Sequence, residues 1–351
     1  MLIRSFSGRR CSQSHDITSR GMGLLALLGV GNVAVWAWAW IAFRDMPVFL
    51  GAATLAYSLG LRHAFDADHI AAIDNVTRKL MQDGKRPVAT GLFFSLGHST
   101  VVVALSVAVA LGSVALFGQS LAFRGIVGTF GTSVSALFLL AIAAANTLLM
   151  FQIYRTFWMV RHGARLSEAQ LERVLARRVL LFRPFGGFFR FIGKSWHMYP
   201  LGLLFGLGFD TATEIGLLGM SASQATDGMS IWTVLIFPAL FTAGMSLMDT
   251  ADGIVMVGAY GWAFAKPSRK LVYNMAITSV SVVAALGIGG IEMLGILHDK
   301  FELGGRFWAA IEHINGDFAL LGGALVAIVV SSWLVSIVMH RAANAARVVR
   351  K

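Results

Sequence analysis

Long apolar runs alternate with short polar connections along the chain. Runs near 22–43, 48–74, 88–117, 125–151, 199–221, 231–260, 271–297 and 317–340 each reach the roughly 20 residues that cross a bilayer as helix. The pattern predicts an all-α integral membrane protein with eight transmembrane helices. One connection differs from the rest, because residues 152–198 form a hydrophilic insert. Within it Leu171, Val174, Leu175 and Val179 share a helix face while Arg173 and Arg177 lie off it. That arrangement suits a helix lying on an anionic leaflet, or equally a solvated loop helix packed on the span ends. Trp196 and Tyr199 then mark the return of the chain at the headgroup level.

Composition agrees with the pattern. Of the 351 residues, 56% are hydrophobic and only 13% charged, where soluble domains carry roughly 25% charged residues. The net charge of +11 raises the thought of a nucleic-acid ligand, but its distribution argues against one. The N-terminal tail, the link between spans two and three (Arg78, Lys79, Lys85, Arg86), the 152–198 insert, residues 266–270 and the C-terminal tail together hold 24 of the 29 Lys and Arg. These stretches alternate with connections that hold only Arg44, Arg124, Lys300 and Arg306. The positive-inside rule therefore places both termini in the cytoplasm and independently supports an even span count. The chain divides into a cytoplasmic tail 1–21, a single transmembrane domain 22–340 containing the basic loop 152–198, and a cytoplasmic tail 341–351. The first apolar run follows basic residues but exceeds the 7–15 apolar residues of a signal peptide, so it reads as a retained helix. The single cysteine, Cys11, excludes an intramolecular disulfide and any thiolate-based site in the spans.

Against this apolar background a few polar residues are costly, and cost marks function. His63, Asp66, Asp68 and His69 fall within seven positions of span two. On an unbroken helix His63, Asp66 and His69 share one face. Asp68 lies about 100° from His69, where it would hold a ring N–H or face another span. Local unwinding would let all four converge, as discontinuous transporter helices do. Asp74, beside Asn75 and Thr77, reads as a capping or solvated residue near the cytoplasmic end. Span three adds His98 next to Gly97, a small residue that admits a neighbouring helix. Asp210 and Glu214, with Thr211, share a face of span five, and Asp249 and Asp252 share one of span six. With no Lys or Arg inside those two spans, the carboxylates need a cation or a proton. Asn32 in span one is either a helix contact or a selectivity contact. His nitrogen and carboxylate oxygen suit divalent transition metals, so passage of such a metal is the simplest reading of the set. Spans two and three are weakly echoed by spans five and six, and an offset of three spans would make the echo an inverted repeat.

The motifs Arg62-His63-Ala64-Phe65-Asp66-Ala67-Asp68-His69-Ile70, Leu96-Gly97-His98-Ser99-Thr100, Leu207-Gly208-Phe209-Asp210-Thr211-Ala212-Thr213-Glu214 and Gly244-Met245 followed by Asp249-Thr250 and Asp252 resemble those of the nickel/cobalt transporter family. The resemblance implies eight spans with cytoplasmic termini in the bacterial cytoplasmic (inner) membrane, and uptake of Ni2+ or Co2+ as cargo without a permanently bound cofactor. It implies that His63, Asp68 and His69 are required, and that metal preference depends on residues around spans one and two, which points to Asn32 and Phe65. The chain lacks a nucleotide-binding loop of the form G-x4-G-K-[ST], so neither intrinsic ATP hydrolysis nor an ATPase subunit is expected. An intramembrane metal-dependent enzyme acting on lipid is the alternative. It would need several His for each metal, and the spans offer three clear candidates on two helices.

Overall fold

The computed structural model describes residues 3–108, 121–161, 192–208, 229–263 and 267–315, with residues 214, 216–218, 220–221, 323, 327 and 331. Among these every regular element is helical. Helix α1 runs Ile3–Phe43, α2 Pro47–His63, α3 Ala67–Gln82, α4 Thr90–Ala108 and α5 Leu121–Arg161. After a short 3₁₀ turn at Ser195–His197 come α6 Met198–Phe205, α7 Ile236–Ala263, α8 Pro267–Phe301 and α9 Arg306–Asn315.

Among the described residues five helical stretches are long and apolar enough to cross a membrane: Ser19–Phe43, Thr90–Ala108, Thr129–Leu148, Ile231–Gly261 and Thr278–Phe301. Exposed Leu27, Val30, Val33 and Ile41 of α1 face outward, a surface that suits hydrocarbon and would be costly in water. The run expected as one helix over 48–74 is instead two, α2 and α3, separated by a turn, and α3 continues to Gln82. The helical start of α1 lies well upstream of its apolar run. Helix α5 extends to Arg161, so the first part of the expected insert continues span four. The amphipathic stretch from 171, most of the expected span 317–340 and the tail 341–351 lie outside the described residues.

Helices α5 and α8 make the most extensive helix pair, and α7 packs on α1, α2, α3 and α4. Close approach is what glycine permits at two of these contacts. A Cβ on Gly97 would overlap the Tyr199 carbonyl of α6, and one on Gly91 would overlap the Asp249 carbonyl of α7. The small residue beside His98 thus admits span five against span three. At the end of α3 Lys79 and Lys85 donate to the carbonyls of Ile192 and Gly193, tying α3 and the turn after it to the segment before α6. Partial burial and the neighbouring Lys194, Lys79 and Lys85 lower the pKa of His197. It therefore favours the neutral form, whose Nδ1 accepts the N–H of Gly193.

Candidate metal centre

The break in span two builds the centre. Helix α2 ends at His63, Ala64 and Phe65 turn, and Asp66 enters α3 in an extended conformation with φ −63° and ψ 139°. The N–H of Phe65 donates to Arg62 and that of Asp66 to His63, at 3.0 and 2.9 Å, bonds that tighten the last turn of a helix. An aspartate in this place usually caps the next helix through its side chain. Asp66 makes no such bond; its Oδ2 lies 2.8 Å from Nδ1 of His63. Asp68 accepts the N–H of His69 at 2.9 Å, an anion at the positive end of the α3 dipole. Of the two places expected for Asp68, beside a ring N–H or facing another span, the one at the His63 ring is taken by Asp66, because the turn swings residue 66 back under His63.

His63 and His69, from opposite sides of the break, meet His98 of α4. Their ring centroids are 4.6 Å apart for the first pair and 4.8 Å for each pair with His98. His63 Nε2 is 3.0 Å from His98 Nε2. Glu214 Oε1 lies 2.7 Å from the latter and 3.8 Å from the former. Asp249 Oδ2 is 3.4 Å from His69 Nδ1. All six side chains, Asp66 included, are buried.

The Asp66 carboxylate favours a proton on Nδ1 of His63, which in the neutral ring leaves Nε2 a lone pair. His63 Nε2, His98 Nε2 and Glu214 Oε1 thus converge in a dry interior. Such convergence needs a shared proton or a cation. Imidazole–metal bonds of about 2.1 Å would set two adjacent ligand nitrogens about 3 Å apart at right angles, the spacing seen between His63 and His98. His69 Nε2, His98 Nδ1 and Asp249 Oδ1 have no hydrogen-bond partner among the described residues, leaving ligand capacity unspent. Among those residues the three His are the one group of His, Cys, Asp or Glu whose ligand atoms all lie within 4.8 Å of one another.

The other expected site residues are placed unevenly. Phe65 sits half-buried in the turn. Asn32 makes a helix contact, donating to Leu28 at 2.8 Å and across to Ala243 of α7 at 3.3 Å. Asp252 lies one turn along α7 from Asp249, with Oδ2 unpartnered. Asp210 and Thr211 lie outside the described residues. Asp74 is not a solvated cap but is buried, accepting from Tyr260 and from Ser281 at 3.1 Å. The break explains this, since α3 carries its residues on into the bundle. Sequence reasoning also passed over Glu292 of α8, which accepts from Ser135 Oγ at 3.0 Å while buried. A lone carboxylate in an apolar run was the available signal.

Comparison with known proteins follows the same line. Residues 49–339 match the family model NicO, described as high-affinity nickel-transport protein. The chain is 56% identical over 340 residues to the high-affinity nickel transport protein of Cupriavidus necator, covering 97% of each chain. It is 46% identical over 312 residues to the nickel transporter NixA of Staphylococcus aureus, covering 89% of this chain and 91% of the relative. It is 42% identical over 319 residues to the cobalt transport protein NhlF of Rhodococcus rhodochrous, covering 89% of each. No solved structure matches.

Proposed function

Because the chain belongs to the family of high-affinity nickel-transport proteins, we propose that it carries Ni2+, with Co2+ as a second cargo, inward across the bacterial cytoplasmic membrane. The observation that carries this reading is the convergence of His63, His69 and His98 with Glu214, a set of nitrogens and one oxygen with no fixed positive charge among them. In this reading the protein has eight spans with both termini in the cytoplasm, and the hydrated ion enters from outside. It exchanges waters for the ring nitrogens, with Asp66 orienting His63 and with Glu214 and Asp249 offsetting its charge. Asp68 holds the first turn of α3, Asp252 receives the ion on its way inward, and Asp210 and Thr211 contribute to the same path. Asn32 and Phe65 tune the choice of metal through the packing of α1 and the turn. The Irving–Williams order favours Cu2+ on any such site, so selectivity has to come from geometry.

The protein acts as a carrier, not a catalyst. A divalent ion moving inward down 100 mV gains roughly 4.6 kcal/mol, on the order of a thousandfold in concentration, so the membrane potential is a sufficient drive. Uptake of 63Ni2+ by cells expressing the chain tests the proposal, with excess Co2+, Zn2+ and Mn2+ as competitors. Saturable uptake that excess Co2+ suppresses is expected. Uptake no greater than in cells lacking the gene sinks it, and uptake that survives collapse of both the potential and the pH gradient removes the secondary-carrier drive.

A further inference from the structure

A second buried polar group lies further along the helix that starts the metal centre. Asp74, Asn75 and Arg78 follow His69 on α3 at about 7 to 13 Å along its axis. Arg78 is 1% exposed, and among the described residues no other Lys or Arg is buried. A guanidinium in that position is costly enough to suggest a task. Its terminal nitrogens donate to Asn75 Oδ1 and to Thr278 Oγ1 of α8, each at 2.9 Å. Asn146 of α5 donates to the same Asn75 oxygen at 2.7 Å. Asp74, one helical turn away on the same face, is held by Tyr260 of α7 and Ser281 of α8. Four helices therefore meet at one buried cation whose two hydrogen bonds go to neutral oxygens.

The place of this group matters as much as its content. Asp249 stands at the metal centre and Asp252 one turn beyond it, within electrostatic reach of Asp74. A small cavity of about 10 Å³ lies beside Asp74 and Asn75, lined also by Ile70, Ala71, Met256 and Ser281. Carboxylates thus step from the centre toward the cytoplasmic end of α3, and the step after Asp74 is a positive charge. A divalent cation reaching Asp74 meets like charge in a low-dielectric interior, where repulsion is strong. It can go further only if the guanidinium leaves.

We propose that Arg78 is the inner gate residue of the transport path, a tethered cation that keeps the inward half closed until the carried ion displaces it from Asn75 and Thr278. The proposal rests on the transport reading above. The two hydrogen bonds of the guanidinium go to neutral oxygens and can be exchanged for water as the side chain swings away, while the nearby Asp74 carboxylate, which feels the guanidinium's charge without bonding it directly, is left to meet the arriving cation.

Cys11 is the single cysteine, so accessibility is open to direct measurement. In the Cys11→Ser background, Ala71→Cys places a thiol on the cavity wall. Inside-out vesicles are treated with a membrane-impermeant maleimide, and Ni2+ binding by the purified protein is measured alongside. Arg78→Gln and Thr278→Val are each expected to raise the labelling rate about tenfold, the size of a one-decade shift toward an open population, while Ni2+ affinity stays near that of the parent. Arg78→Lys, which keeps the charge, should raise labelling less. Labelling unchanged in both Arg78→Gln and Thr278→Val, with Ni2+ binding intact, overturns the gate. Thr278→Val decides alone if Arg78→Gln does not fold. A parent protein that binds no Ni2+ overturns the transport reading and the gate with it.

Discussion

Two buried polar groups share helix α3, and they are composed in opposite ways. Around His63, His69 and His98 three rings meet the carboxylates of Glu214 and Asp249, and ring or carboxylate atoms of His69, His98 and Asp249 have no hydrogen-bond partner among the described residues. Around Asp74 and Arg78 donors face acceptors: the Tyr260 phenol and the Ser281 hydroxyl donate to the Asp74 carboxylate, and the guanidinium donates to the Thr278 hydroxyl and, with the Asn146 amide, to the Asn75 side-chain carbonyl. The first group contains no Lys or Arg, and the second contains its own guanidinium. Both are buried, so burial alone does not separate them. What separates them is whether the positive charge is built in.

The sharpest way to break this contrast is to remove a ring from the first group. His63→Ala deprives Asp66, His98 and Glu214 of a shared partner, and 63Ni2+ uptake should fall to background while immunoblots show normal protein levels. Unaltered uptake in that variant would remove the centre. Asp66→Asn is milder, because the ring stays and only its orientation and basicity suffer. Partners of this kind typically change metal affinity about 10–100-fold, so titration of the purified variant with Ni2+ should show a weakened Kd in that range. A Kd equal to the parent's would mean that Asp66 merely closes the turn.

The three rings were legible from the chain and the polar group further along α3 was not. The apolar runs marked the membrane-length helices because each is a one-dimensional property of its own stretch. His63, His69 and His98 stood out because an ionisable residue in such a run is rare. The break between α2 and α3 was not predictable in detail, since Ala64-Phe65-Asp66 holds neither proline nor glycine. The carboxylate of Asp66 goes to a ring instead of a cap, and that choice depends on α4 and α7 pressing His63 and His69 together. The same break displaces everything after it. Asp74 looked like the end of a span, and Arg78 counted among the cytoplasmic charges of a loop, yet the bundle buries both. Asn75, Asn146, Thr278 and Ser281 are individually unremarkable in sequence, and only their meeting shows what they do.

The smallest predicted effect tests the contrast on stability, where the two groups should respond with opposite signs. Ser281→Ala removes one of the donors that hold Asp74. A hydrogen bond to a charged group contributes about 1.5–3 kcal/mol, so the metal-free protein in detergent should unfold at a lower temperature. Glu214→Gln removes a buried negative charge from a group with no fixed cation, and exchanging such a charge for a neutral isostere relieves a desolvation cost on the order of 1 kcal/mol. Its metal-free unfolding temperature should rise, while the stabilisation that Ni2+ confers by mass action on the parent should shrink. If Glu214→Gln lowered the metal-free stability as Ser281→Ala does, the glutamate would be satisfied without a cation. The three rings and their carboxylates would then be self-satisfied, as Asp74 is by its own donors.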